Sequence, residues 1–258
     1  MPSAALVLFF ELVSVVGSGL LALKLFTSGL YGRYRFFFIY LILRVPYITC
    51  ALFLDVKSSL YQKYFMVWAP LFLLLYILSV VELYGLVLER HKGLYTWGRW
   101  AMYFATAVSV TISMLSLLPR ITPAMPQRSR IAGYVYATER GVDFSLAIFI
   151  LLILFLLSRF PVPLSRNVVV HAAIYSIFFL SNTLGLLLYT VFGLQLKNEV
   201  NVLFTGTSSA CVVAWFLLLN AKGEEVRVST LRFGRADQER ILLQLNALND
   251  TLLKASRK

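Results

Sequence analysis

Residues 148–154 read IFILLIL, an unbroken apolar sequence at the centre of a longer apolar run, 141–158. A strand of a membrane β-barrel alternates apolar and polar side chains over about ten residues, and this run does not alternate. An α-helix satisfies its own backbone hydrogen bonds in lipid, and about 20 residues carry it across a hydrocarbon core of about 30 Å. The run therefore predicts a transmembrane helix.

Six further apolar runs of similar length lie on either side of it, at residues 4–26, 36–54, 64–88, 100–118, 168–191 and 200–220. The loops between them are short, so helices adjacent in sequence are expected to be neighbours in space, and no loop could hold an enzyme domain. We therefore predict an all-α integral membrane protein, with a seven-helix bundle over residues 1–220 and a cytoplasmic tail over residues 221–258.

The composition supports a lipid environment. Of the 258 residues 59% are hydrophobic and only 14% are charged, whereas charged residues make up about a quarter of a soluble domain. The net charge of +12 arises from basic residues between the runs and in the tail, which favours anionic lipid headgroups at the cytoplasmic face over nucleic acid. Cys50 and Cys211 lie in apolar runs without metal-ligand spacing, so we expect free buried thiols and neither a metal nor another cofactor.

Small and hydroxyl residues recur at helical spacing in three of the predicted spans, where they let helices approach closely. These packing faces are Ser14, Ser18 and Ala22 on the first helix, Thr106, Ser109, Ser113 and Ser116 on the fourth, and Gly206, Ala210 and Ala214 on the seventh.

Four ionisable side chains fall well inside the predicted spans, where each costs about 2.5 to 3.5 kcal/mol to insert: Glu11, Arg44, Glu82 and His171. Asp143 lies at the edge of the fifth span and is a borderline case. Counting about 1.5 Å per residue from the span ends places Arg44 and Glu82 at nearly the same depth, which predicts an ion pair between them. Glu11 falls in the outer half.

Polar aromatic residues accompany two of these charges. Tyr40 and Tyr47 share a helix face with Arg44, and Tyr175 and Asn182 follow His171 at helical spacing. One interpretation is a polar cavity in the inner half of the membrane, lined by these residues together with Glu82 and His171. The other is an internal salt bridge that fixes helix register, with His171 reaching the headgroups.

The tail contains a predicted amphipathic helix at about residues 237–256, with Asp237 as its N-cap. Ile241, Leu245, Leu248 and Leu252 repeat at intervals of three and four, as in the seam of a coiled coil. The helix is too short to be stable alone, so its apolar stripe should be covered by a second copy, a protein partner or lipid.

The spans contain no Schiff-base lysine in 200–220 and no protease signature, so we expect no enzymatic activity. Our leading hypothesis is a sensor-like or scaffold module that associates through its tail helix, either as a homo-oligomer or with a protein partner. A small-solute or proton-linked transporter or channel is the alternative suggested by Arg44, Glu82 and His171. An accessory subunit of a larger membrane complex is the third possibility.

Lys and Arg near the span ends set the expected orientation. With the N-terminus outside, eleven of them fall on the inner side and seven on the outer side, although the segment from Pro119 to Arg140 places four Arg outside. Pro119, Pro123 and Pro126 indicate an extended stretch before an early helix start near Ile131. We therefore expect an extracytoplasmic N-terminus and a cytoplasmic C-terminus.

Reporter fusions test this orientation. A reporter that works only in the cytoplasm should be active when it is fused after Lys258, and one that works only outside the cytoplasm should be active when it is fused before Met1. The reason is that basic residues are retained on the cytoplasmic side. The reverse pattern of activities would invert the assignment of every loop.

Overall fold

The computed structural model describes residues 2–55, 58–88, 92–117, 127–159, 164–192, 197–225, 227–228, 243 and 246–247. In this part of the chain the long helices are α1 (Pro2–Thr27), α2 (Arg35–Phe53), α3 (Ser59–Val87), α4 (Lys92–Leu117), α5 (Gln127–Arg159), α6 (Arg166–Phe192) and α7 (Lys197–Leu218). The short elements are a 3-10 turn (Leu30–Gly32), a four-residue helix α8 (Lys222–Glu225), and the strands β1 (Leu164–Ser165) and β2 (Arg227–Val228).

Five of these helices, α1, α2, α3, α6 and α7, are long and apolar enough to cross a membrane. Their outward faces expose large apolar side chains such as Val67 and Leu217, while polar side chains such as Ser18 and Asn167 are buried. Water disfavours so extensive an apolar surface, whereas lipid does not. The chain is therefore an all-α integral membrane protein, and α4 and α5 provide helices over the two remaining predicted runs.

All seven long helices begin earlier than the apolar runs do, and α3 and α5 illustrate the difference. Ser58 caps α3, its hydroxyl accepting a hydrogen bond from the Tyr61 backbone N–H at 3.0 Å, so this helix starts before the predicted residue 64. The fifth helix begins at Gln127, slightly ahead of the start expected near Ile131. Apolar length measures the part of a helix that lipid surrounds, and the helix itself continues until its backbone is capped.

The helices pack as a bundle in which α1 contacts α2 and α7, α6 contacts α7 and α5, and α3 contacts α2, α5 and α6. The fourth helix packs mainly against α5 at the edge of the bundle. Large side chains fill the interior with almost no exposure, among them Phe37, Leu83, Phe179 and Trp215. The order of neighbours largely follows the order along the chain, as the short loops predict.

The predicted packing faces on α1 and α4 are confirmed in most positions. Ser14, Ser18 and Ala22 are buried, and a Cβ at Gly17 would come within 2.8 Å of Val212 on α7. The prediction is wrong at Ala210, which is exposed.

The contact between α4 and α5 uses hydroxyl groups. Thr106 and Ser145 share a hydrogen bond of 2.7 Å, and Ser109 donates to the Gly141 carbonyl at 2.9 Å. The side chain of Ser116 lies outside the described residues. Since Gly141 has no side chain, the two helix backbones can meet there.

Glu224 of α8 fastens the end of α7 to the other side of the bundle. Its carboxylate accepts hydrogen bonds from Tyr34 at 2.5 Å and from Asn167 at 2.9 Å, and it forms an ion pair with Arg33 at 3.0 Å. Burial, together with the neighbouring Glu224 carboxylate, raises the pKa of Tyr34. The antiparallel strands β1 and β2 pair beside this cluster, with Leu164 opposite Val228.

The tail beyond β2 is described only at Leu243, Asn246 and Ala247, each of which is helical. The predicted seam residues Ile241, Leu245, Leu248 and Leu252 lie outside the described residues, and the tail helix stays a prediction. Both cysteines are free as expected, but Cys50 is exposed rather than buried.

The close approach at Gly141 predicts a specific cost. A Cβ at this position would lie 2.6 Å from the Cα of Val110, so Gly141→Ala should destabilise the protein by about 1 to 3 kcal/mol through overpacking. Gly19→Ala is the matched control, because its nearest neighbour would be Val45 at 4.0 Å, and it should stabilise the helix by about 0.5 to 1 kcal/mol. Unfolding in detergent measures both, and equal effects of the two substitutions would contradict the packing.

Candidate functional site

A cavity of about 300 Å³ lies between α1, α2, α3, α5, α6 and α7. Its walls include Glu11 near the beginning of α1, Tyr47 near the end of α2, and Tyr61 near the beginning of α3. It therefore occupies the end of the bundle where α1, α3 and α7 begin. In the predicted orientation this is the outer half, whereas the sequence predicts a cavity in the inner half.

Arg44 is the central polar residue of the cavity wall, with only 8% of its surface exposed. Its guanidinium donates hydrogen bonds to the hydroxyl of Tyr40, one turn earlier on α2, to Ser14 of α1 at 2.8 Å, and to Ser208 of α7. The spacing of four residues places Tyr40 and Arg44 on one helix face. Arg44 thus joins three helices through neutral hydroxyl groups.

No carboxylate of the described residues lies within ion-pair distance of Arg44. All three of its partners are hydroxyls, and its Nε–H has no acceptor among the described residues. Burying a cation is expensive unless a counter-charge and a full set of acceptors compensate for the lost water. The cavity wall therefore presents an incompletely satisfied positive charge.

Glu82 does not pair with Arg44, and the predicted ion pair is wrong. Its carboxylate accepts hydrogen bonds from the backbone N–H groups of Arg35 at 2.7 Å and Phe36 at 3.1 Å. These N–H groups begin α2, where they have no partner within the helix and where a negative charge is favourable. Arg44 follows nine residues later, about 13 Å further along the helix. Glu82 thus acts as a cap supplied by a neighbouring helix.

Two acidic residues on α5 complete the polar surroundings of the cavity. Glu139 lines it directly, and Asp143, one turn further on, is fully buried. Asp143 interacts electrostatically with Glu139, and the side chain of Asn182, which also lines the cavity, is close enough to donate a hydrogen bond to its carboxylate. Tyr76 lies close enough to Arg44, Glu139 and Asp143 to interact electrostatically with all three. The sequence analysis missed Glu139 because it precedes the apolar run.

His171 lies away from the cavity in an enclosure of aromatic rings. Its ring centroid is 4.5 Å from that of Phe37, 4.6 Å from Tyr175, 5.1 Å from Tyr34 and 5.6 Å from Trp215. It is 1% exposed and does not reach the surface, so both the cavity and the headgroup interpretations of this residue are wrong. The ring instead fills the core.

The predicted polar cluster therefore divides into three separate sites. Glu11, Tyr40, Arg44, Tyr47 and Asn182 line the cavity. His171 and Tyr175 belong to the aromatic enclosure, and Glu82 caps α2. The prediction that Tyr40, Arg44 and Tyr47 share one helix face is confirmed, because all three line the cavity. The predicted face of α6 is divided between two sites, because Tyr175 lies in the aromatic enclosure and Asn182 lines the cavity.

Aromatic rings form most of the remaining cavity wall. Phe72 packs edge-on against Tyr40 and Tyr47, at centroid distances of 5.8 and 4.8 Å, and Tyr76 packs edge-on against Phe178 at 5.6 Å. Among the described residues no three His, Cys, Asp or Glu side chains come together as metal ligands would. The site combines apolar walls with a few polar groups, which is typical of pockets for small organic ligands.

Comparison with protein-family models, with curated proteins and with solved structures finds no match to this chain.

The separation of Arg44 from Glu82 predicts additive effects. Arg44→Met removes three hydrogen bonds, and Glu82→Gln weakens the cap of α2, so each should lower the free energy of unfolding by about 1 to 3 kcal/mol. In the double variant the two losses should add to within about 0.5 kcal/mol, because the groups share no partner. Denaturation in detergent measures the three losses. If the loss in the double variant differs from the sum of the single losses by clearly more than that margin, Arg44 and Glu82 interact as an ion pair would.

Proposed function

We propose that this chain is a non-enzymatic, sensor-like membrane protein that binds a small polar molecule in the cavity beside Arg44. The observation that carries the proposal is a buried guanidinium, held by three hydroxyl groups, in the wall of a cavity of about 300 Å³. Ligand pockets are usually concave, mainly apolar and about 300 to 1,000 Å³ in volume, with a few polar groups that orient the ligand. This cavity has those properties at the small end of the range.

The cost of the arrangement supports a functional role. An ionisable residue inside a membrane bundle is expensive, so it is retained where it binds something or fixes the structure. Glu82 fixes the structure, because its carboxylate is satisfied by the N-terminus of α2. Arg44 and Glu139 instead border open volume. A polar ligand in that volume would supply the counter-charge that neither has among the described residues.

In this proposal α4 and α5 cross the membrane as well, which gives seven spans. The fourth helix has 26 residues and the fifth has 33, so both exceed the length required. Phe104, Ile112, Leu152 and Phe155 are exposed on their outward faces, as lipid contact would require. The N-terminus would lie outside and the C-terminus in the cytoplasm.

The tail helix would transmit or organise the response by association. Its seam of Ile241, Leu245, Leu248 and Leu252 would pair with a second copy or a protein partner, and its basic end would contact anionic headgroups. Glu224 supports a connection between the tail and the bundle, because it anchors the preceding segment to Tyr34 and Asn167. A scaffold or an accessory subunit of a larger complex would use the same tail without needing the cavity.

Transport is the second candidate function, and the acidic residues of α5 favour it. Glu139 and Asp143 lie one helical turn apart, and Asp143 is fully buried. Paired buried acids of this kind occur where membrane proteins bind or relay protons. Glu82 caps α2 and therefore does not support a transport site shared with Arg44.

Filling the cavity should abolish ligand binding. A thermal-shift panel of small carboxylates, amines, amino acids, sugars and phosphate esters should contain compounds that stabilise the wild-type protein. Ala69→Leu adds a bulky side chain to the cavity wall, so the affinity for those compounds should fall at least ten-fold. The thermal shifts that they cause should become correspondingly smaller. Ala105→Leu, on an exposed face of α4, is the matched control and should leave them unchanged.

The outcomes separate the functions. If no compound stabilises the wild type, or if Ala69→Leu and Ala105→Leu respond alike, the cavity is not a binding site. Truncation after Gly234 should leave binding intact but reduce the size of the assembly or release a partner. Uptake of the bound compound into proteoliposomes, lost in Glu139→Gln, would assign transport in place of sensing.

A further inference from the structure

The wall of the cavity contains residues of both charge signs. Arg44 lies on α2, and the acidic residues Glu139 and Glu11 lie on α5 and α1. The bound molecule must satisfy both, since an unpaired charge next to a buried ligand costs more than a paired one. This requirement narrows the class of ligand that the proposed binding function could use.

The positive side is preorganised for a carboxylate. Three of the five N–H groups of the guanidinium donate to Ser14, Ser208 and Tyr40, and the buried Nε–H has no acceptor among the described residues. A carboxylate beside the guanidinium would neutralise its charge and accept a charge-assisted hydrogen bond. The hydroxyl groups that hold Arg44 can also donate to an anion, whereas a carboxylate in their place would have neutralised it.

Among the described residues, no Lys or Arg neutralises the acidic side of the cavity. Arg140 follows Glu139 in sequence, but its guanidinium bonds to Ser113 of α4 at 2.9 Å and so points towards α4. No described Lys or Arg lies within ion-pair distance of Glu139 or Asp143. The aromatic rings of Tyr76 and Phe178, which share the cavity wall, also attract cations through their faces. An ammonium group fits this side of the cavity.

We infer that the cavity binds a small zwitterion of the amino-acid kind, with its carboxylate on Arg44 and its ammonium group towards Glu139. The inference rests on the proposed binding function and assigns its ligand class. A volume of about 300 Å³ accommodates one amino acid with an apolar side chain and is too small for a peptide or a whole lipid. The aromatic walls receive the side chain.

Matched half-molecules test the assignment without any variant. Phenylalanine, leucine and alanine are the zwitterions, each compared with the carboxylate and the amine that retain its side chain, such as phenylpropionate and phenethylamine. Titration calorimetry of the detergent-solubilised full-length protein should give at least one amino acid that binds ten-fold more tightly than both of its half-molecules. Each half-molecule leaves one buried charge unpaired.

Charge variants assign the two ends. Arg44→Met should weaken the amino acid at least ten-fold and the carboxylate similarly, but leave the amine unchanged. Glu139→Gln should weaken the amino acid and the amine, but leave the carboxylate unchanged. Glu82→Gln is the control for stability alone and should affect none of them, because Glu82 contacts the start of α2 rather than the cavity. Arg44→Lys retains the charge if Arg44→Met does not fold.

Three results would overturn the inference. If a half-molecule binds as tightly as its amino acid, the ligand carries one charge, and the proposed binding function survives without the zwitterion. The same holds if only another compound class binds in a manner that Ala69→Leu blocks. If no compound of any class binds the wild-type protein, the binding function and the zwitterion fail together.

Discussion

The hydrogen bonding of one buried guanidinium joins three helices of this bundle at the wall of the cavity. Arg44 cannot be left without acceptors in a low-dielectric interior, so Ser14 of α1, Tyr40 of α2 and Ser208 of α7 must converge on it. Two of these partners are small. A small hydroxyl residue at a contact between helices satisfies the guanidinium but fills little volume, which leaves room for the cavity. The polar network and the open space therefore have the same origin.

The two ends of the bundle differ because different chemistry closes them. At the end where α8 follows α7, the rings around His171 fill the core, and Glu224 joins residues from α6, α8 and the segment before α2. At the other end, the helices around Arg44 enclose a cavity instead. Ring contacts continue from the aromatic enclosure around His171 to the cavity wall, from Phe37 to Tyr40 and from Phe179 to Tyr76.

The sequence was sufficient to predict the helices but not their relative heights. A run of about 20 apolar residues identifies a helix because lipid leaves the backbone no other partner, and in the described part of the chain each of the seven runs coincides with one long helix to within two residues at the end of the run. The pairing of Arg44 with Glu82 failed because it assumed that every span begins at the same height. Glu82 instead lies level with the first turn of α2, and tertiary packing decides this register. Glu139 could have been predicted as a cavity residue, since it lies four residues before Asp143 on one helix face. It was not predicted, because a search for apolar runs excludes it.

The partners of each buried charge indicate whether that charge has a structural or a functional role. Where a charge has found its complement in the protein, as Glu82 has in the N–H groups of α2 and Glu224 has in Arg33 and Tyr34, removing it disturbs the fold alone. Where a charge faces open volume with only neutral partners, as Arg44 does, the fold holds the charge in position but does not neutralise it. Helix register could be fixed more cheaply by apolar contacts, because a buried ion is a poor source of stability. Retaining a guanidinium that hydroxyl groups orient but no described carboxylate pairs is therefore best explained by a second molecule that completes it.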